Sequence, residues 1–122
     1  MSFDAIFQNP LGKVDAVPLL SSELPKHVGP HAAKAIAALR KGYRRWFKHQ
    51  WGREPSSADA TVYSVAGWTA RGEPYHQAAL AVVTFEGEAA EFFNSGQAQK
   101  ALEPLGYYLE WGHHWNAGIY AH

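Results

Sequence analysis

The chain has 122 residues, no cysteine, eleven Lys or Arg against eleven Asp or Glu, seven His and five Trp. That length holds one domain, 1–122, with a modest core, and the missing cysteine excludes disulfides, thiolate catalysis and Cys-zinc sites. Balanced charge speaks against a nucleic-acid coat protein or a polybasic membrane binder, no apolar run reaches the roughly 18 to 20 residues of a membrane span, and MSFDAIFQNP lacks the layout of a secretory signal, so the expectation is a cytoplasmic protein with neither membrane nor nucleic-acid partner.

Phe3 to Gln8 alternates as a short strand, ended by the turn residues Asn9-Pro10-Leu11-Gly12. Val14 to Leu24, with Pro18 and Ser21-Ser22, reads as either a short helix or an irregular connection. Pro30 suits the first turn of a helix, where its missing N–H costs nothing. From there Ile36, Leu39, Tyr43, Trp46 and Phe47 recur at helical spacing, while Lys34, Lys41, Arg45 and Lys48 share the other side. The spacing predicts a helix from about His31 to about His49. Gly42 weakens it by roughly 1 kcal/mol relative to Ala, and the segment after Gly42 could instead be extended. Arg53 to Ala60 is a surface loop by composition.

Thr61 to Phe85 is rich in Val, Thr, Tyr and Trp, and Gly72 and Pro74 punctuate it as turn residues do. Two antiparallel strands joined at Arg71-Gly72-Glu73-Pro74 are expected, with Tyr75-His76 at the entry to the second. In that second run Gln77, Ala79, Ala81, Val83 and Phe85 alternate with His76, Ala78, Leu80, Val82 and Thr84, and both faces are largely apolar. One face should meet helices, and the other a second sheet, a partner subunit or a ligand pocket. Ala89, Phe92 and Phe93 form a short helical face. Ser95 is the expected N-cap of a further helix through Gln97 and Leu102, stopped by Pro104 and Gly106. Tyr107 to Trp111 and Gly118 to His122 look extended. The sum is an α+β domain with an antiparallel sheet of roughly four strands.

Glu73-Pro74-Tyr75-His76, the apolar run ending in Thr84-Phe85, and the helix built on Phe92, Ser95, Ala98 and Ala101 resemble the EthD-like branch of the dimeric α+β barrel proteins. Asn9-Pro10 and Lys26-His27-Val28-Gly29-Pro30-His31 also look similar to that family. Glu86-Gly87 departs from its usual acidic-Ser pair. The resemblance implies a ferredoxin-like subunit with helices on one face of its sheet, pairing with a second copy into a homodimeric barrel with a pocket in each half. Relatives in the wider superfamily span isomerases, cyclases, cofactor-free monooxygenases and haem proteins, so fold alone selects no reaction.

An imidazole both takes and gives a proton near neutrality, which is what enolising a carbonyl, isomerising a lactone or closing an aromatic ring requires. His76 is therefore the first candidate acid or base, although an imidazole beside a turn can equally be a hydrogen-bonded structural group. His27 or His31 is the candidate second proton handler. Gly29 and Pro30 between them argue against a continuous helix and hence against an i, i+4 metal half-site. Tyr63, Trp68, Tyr75 and Leu80 would line the pocket, and His113 and Trp115 would cap it, for a small apolar or aromatic ligand. The expected activity is cofactor-independent isomerisation, cyclisation or dehydration of a cyclic or aromatic carbonyl compound. A non-catalytic binding module of the same fold is the alternative, and a haem- or metal-dependent oxidase the third. The lysine and arginine stripe is expected to be a solvated helix face.

Overall fold

The computed structural model describes residues 15–73 and 75–122; the expected strand at Phe3 to Gln8 and its turn lie outside them. In chain order the elements are β1 (Ala16–Pro18), α1 (Pro30–Trp51), β2 (Ala60–Tyr63), α2 (Val65–Ala70), β3 (Ala81–Phe85), α3 (Gly87–Asn94), α4 (Gln97–Leu102), a 3₁₀ turn (Glu103–Leu105), β4 (Tyr107–His113) and β5 (Asn116–Ala121). The strands form one antiparallel sheet of order β1-β2-β3-β5-β4. β3 and β4 are parallel with β5 between them and are joined through α3 and α4, the split β-α-β unit of ferredoxin-like folds. The class is α+β, consistent with a ferredoxin-like fold.

α1 starts at Pro30 and ends where Gly52 adopts a left-handed conformation (φ 70°) and returns its N–H to the Lys48 carbonyl. It runs through Gly42 without a break. The residues beyond Gly42 are helical because Tyr43 and Phe47 continue the buried stripe begun by Ala32, Ile36 and Leu39. Tyr43 meets Phe92 of α3 edge to face at 5.3 Å, and Phe93 stacks on Phe85 of β3 at 4.3 Å. This stripe, α3 and α4 cover one face of the sheet, burying Val17, Val62, Ala81, Val83, Ala117 and Ile119. Ser95 is not the cap of α4. It closes α3, its N–H bonding to the Glu91 carbonyl, and Gly96 at φ 89° is the residue that begins α4.

The pairing of the two central strands matches expectation, with Thr61 opposite Thr84 and Val62 opposite Val83. Their connection does not. β2 stops at Tyr63, β3 begins only at Ala81, and residues 64–80 make a long excursion instead of a tight turn. The reason is local: Ser64 caps a helix, its Oγ accepting the Gly67 N–H at 3.0 Å. Tyr75 and His76 therefore stand in a loop, not at a strand entry. That loop folds back onto the face of the sheet opposite the helices, where Val82, Asn116 and Gly118 are buried beneath Trp68 and His76. The face expected to adjoin a partner or a pocket is thus roofed by the chain itself.

Candidate functional site

Alternation along β5 sends Ala117 and Ile119 to the helices and Asn116, Gly118 and Tyr120 to the roofed face. His76, at φ 66°, lies flat on that face. Its Nδ1 meets the Tyr120 hydroxyl at 3.1 Å and its Nε2 meets Asn116 Oδ1 at 3.1 Å. An amide oxygen only accepts, so Nε2 carries the proton and the tyrosine O–H donates to Nδ1. Glycine is required beneath the ring. A Cβ at Gly118 would stand 2.7 Å from His76 Nδ1, and one at Gly112 would stand 2.7 Å from Nε2 and 2.8 Å from the Tyr75 ring.

Around this point the structure gathers six of the expected site residues, His76, Tyr63, Trp68, Tyr75, His113 and Trp115. Trp68, fully buried in α2, packs edge to face on Tyr63 at 5.6 Å and on Tyr75 at 6.0 Å and donates its indole N–H to the Tyr75 carbonyl at 3.1 Å. Tyr75 meets His113 at 5.3 Å, and His113 stacks on Trp115 at 5.8 Å. Arg71 closes the outer rim, its guanidinium 4.9 Å from the Trp68 ring and bonded to the Tyr63 hydroxyl at 3.1 Å. A hollow of about 260 Å³ lies at the edge of the cluster, lined by Tyr63, Arg71 and Trp115 among others. Two buried polar atoms in the cluster, Tyr75 Oη and Asn116 Nδ2, have no well-formed hydrogen bond among the described residues. Burial, and then the neighbouring Glu73, push the Tyr75 phenol above its ordinary pKa.

His27, His31 and Leu80 are elsewhere. They line a surface hollow of about 300 Å³ at the N-terminus of α1, with Val65, Ala66 and Ala79 as further walls. His76 does not line it, so the imidazoles expected to share one pocket fall into two sites. His31 Nδ1 meets the hydroxyl of Tyr107 at 2.8 Å, with the rings edge to face at 5.9 Å. Tyr107 is buried on β4, so the contact fixes the imidazole from below. Leu80 is held by its own N–H, bonded to the Ile119 carbonyl at 2.7 Å.

Sequence reasoning missed Asn116, Tyr120, Gly112, Gly118 and Tyr107. The strand period of Asn116, Gly118 and Tyr120 was the available signal for three of them. Among the described residues no group of three or more metal-ligating side chains comes together, and no helix is long and apolar enough to cross a membrane. Comparison of the chain with protein-family models, curated proteins and solved structures finds no match.

Proposed function

We propose that the protein is a small-molecule-binding domain whose ligand enters the hollow beside the start of α1. The ligand's apolar body would rest against Val65, Ala79 and Leu80, and its carbonyl or hydroxyl would meet the imidazoles of His27 and His31. The observation that carries this reading is the union of two exposed imidazoles with apolar walls, one imidazole anchored by the buried phenol of Tyr107. A phenol can donate to Nδ1 or accept from it, so His31 Nε2 can present either a proton or a lone pair. Few polar groups placed in an apolar concavity is the usual composition of a ligand site.

The same phenol–imidazole contact favours a second reading, cofactor-independent acid–base turnover of a carbonyl compound, with His31 and His27 exchanging protons with the substrate. His76 is the weaker candidate, because it is buried and both its nitrogens are engaged. A place in the EthD-like branch belongs to the same proposal, supported by the antiparallel α+β architecture and the helices that carry Phe92, Ala98 and Ala101. It is opposed by the roof of Trp68 and His76 on the face where the second copy of a dimeric barrel would pair. The hollow is formed within one chain, so the reading needs no second copy.

Screening small cyclic and aromatic carbonyl compounds by amide-resonance shifts tests it. Shifts centred on residues 27–32 and 65–66, lost in Leu80→Trp, are expected. Shifts confined to residues 113–116, or hits that bind Leu80→Trp equally well, overturn the assignment. If turnover accompanies binding, His31→Gln should abolish turnover while binding persists.

A further inference from the structure

α1 carries Lys34, Arg40, Lys41, Arg44, Arg45 and Lys48 and no Asp or Glu, so six of the chain's eleven cations sit on one helix. Ion pairs among the described residues join Lys26 to Asp15 and Lys48 to Glu54; Lys34, Lys41, Arg45 and Lys100 are in none. These four surround a double hollow on the outer surface of the helical layer. It lies beside the contact of α1 with α4, where a Cβ on Gly42 would stand 2.7 Å from that of Ala101. The larger hollow, about 630 Å³, is lined by Trp46, His49, Gln50, Glu91, Ser95 and Gln97 among others. The smaller, about 440 Å³, has Lys34 and Lys41 at its edge and Ala37, Ala38 and Leu105 as apolar surface. Arg45, Lys100 and Ala101 line both.

We infer that this double hollow binds a nucleoside diphosphate, with the base in the larger lobe and the phosphates over Arg45 and Lys100 toward Lys41 and Lys34. Charge gives the direction. Glu91 is the acidic lining residue, it stands in the larger lobe only, and it would repel a phosphate there while accepting hydrogen bonds from a base's N–H groups. Gln50, Ser95 and Gln97 add donors and acceptors for base edges, and the half-buried Trp46 supplies an aromatic wall. The phosphate end has four cations with no ion pair among the described residues, one of them a guanidinium suited to two phosphate oxygens at once. The larger lobe alone is within the size range of small-ligand pockets, roughly 300 to 1,000 Å³. A double-stranded nucleic acid fits less well, because the cations ring concavities and the total charge of the chain is zero.

Titration of the full chain with adenosine diphosphate, inorganic pyrophosphate and a single-stranded oligonucleotide, read by calorimetry and amide shifts, tests this. Adenosine diphosphate should bind more tightly than pyrophosphate, with shifts in both residues 34–50 and residues 91–105. Arg45→Gln with Lys100→Gln should weaken it about tenfold or more, whereas Lys26→Gln, remote from the groove and paired with Asp15, should not. Glu91→Gln should narrow the gap between adenosine diphosphate and pyrophosphate. No binding at millimolar nucleotide, equal affinity for pyrophosphate, or an oligonucleotide that outcompetes the nucleotide for the same residues would each overturn the inference, the last in favour of a nucleic-acid surface. Circular dichroism of the variants separates lost binding from lost fold.

Discussion

A histidine in the left-handed region costs on the order of 1 kcal/mol or more relative to ordinary backbone. His76 sits there at φ 66° and returns two hydrogen bonds from a buried ring, each contributing about 1 kcal/mol. The balance holds only while Gly118 leaves room below the imidazole. Gly118→Ala should therefore destabilise the fold by about 1 to 3 kcal/mol, as overpacked sites do, read as a lower urea midpoint. In a His76→Ala background the same change should cost less, since one of the two colliding rings is gone and only Tyr120, 2.8 Å from the new Cβ, remains. Equal costs in both backgrounds would mean that Tyr120, and not the imidazole, sets the cost at this position. A second expectation concerns phenols. Burial first, and nearby acidic groups after it, raise Tyr43, Tyr75 and Tyr120 above the usual tyrosine pKa. A raised folded pKa means that the folded state holds its protons longer. The associated stability is present below the unfolded value of about 10 and is lost as pH climbs through the folded values. The last part of the rise in tyrosinate absorbance should thus accompany alkaline unfolding, whereas ionisation of all six tyrosines in a still-folded chain would contradict the raised values of these three. His76 was legible in the sequence as a residue to watch. The common strand face of Asn116, Gly118 and Tyr120 was available too, but its meeting with His76 was not, because Asn116 lies forty positions away and only the sheet register brings it underneath.

Gly42 shows how an element's position can outweigh its propensity. Replacing it by Ala favours the helix by about 1 kcal/mol in isolation, but the new Cβ would stand 2.7 Å from Ala101 and 3.5 Å from Phe92, closer to Ala101 than real Cβ contacts come. The clash, about 1 to 3 kcal/mol, exceeds the propensity gain, so Gly42→Ala should lower the thermal midpoint. Adding Ala101→Gly should restore most of it, because the swap returns one Cβ to the crossing. A double variant no better than the single one would place the strain elsewhere. The same helix was the most legible element in the sequence, since Ile36, Leu39, Tyr43 and Phe47 keep one period from end to end. The segment after Tyr63 was misread because Val65, Trp68 and Thr69 are residues that strands favour. The Ser64 cap and the spacing of Val65 and Trp68 suit a turn and a half of helix just as well, and tertiary burial of Trp68 decides between them. The expected pocket residues were drawn together by that error's correction: with α2 folded over the sheet, Tyr63, Trp68, Tyr75 and Trp115 meet as packing, while His27, His31 and Leu80 keep a hollow of their own.

At the scale of the whole molecule, zero net charge conceals a lopsided distribution. Among the described residues the acidic groups are spread over loops, α3, the 3₁₀ turn and β4, while six cations crowd α1. On that helix Arg40 faces Arg44, Lys41 faces Arg45 and Arg44 faces Lys48 at four-residue spacing, and each like-charge pair costs about 0.2 to 0.5 kcal/mol. The Arg40 guanidinium is held below its ordinary pKa, first by partial burial and then by Arg44, which is the same repulsion seen from one of its members. Opposing this are two exposed ion pairs, at 3.6 and 3.4 Å, each contributing about 0 to 1 kcal/mol, and the attraction of Lys48 and His49 for the C-terminal end of the helix. Salt screens all of them, but the Debye length falls from roughly 10 Å at 0.1 M to 3 Å at 1 M, so raising sodium chloride across that range weakens contacts spaced about 5 to 6 Å apart on one helix. The repulsive pairs, counted with the three-residue neighbours Lys41–Arg44 and Arg45–Lys48, outnumber the attractive ones. Added sodium chloride should therefore raise the unfolding midpoint, by an amount equivalent to about 1 kcal/mol. Arg44→Gln, which removes a member common to three of these pairs, should raise the low-salt midpoint and flatten the salt response. A midpoint that falls with salt in the wild-type chain would show that the attractive pairs dominate, and that the cations of α1 are not in conflict with one another.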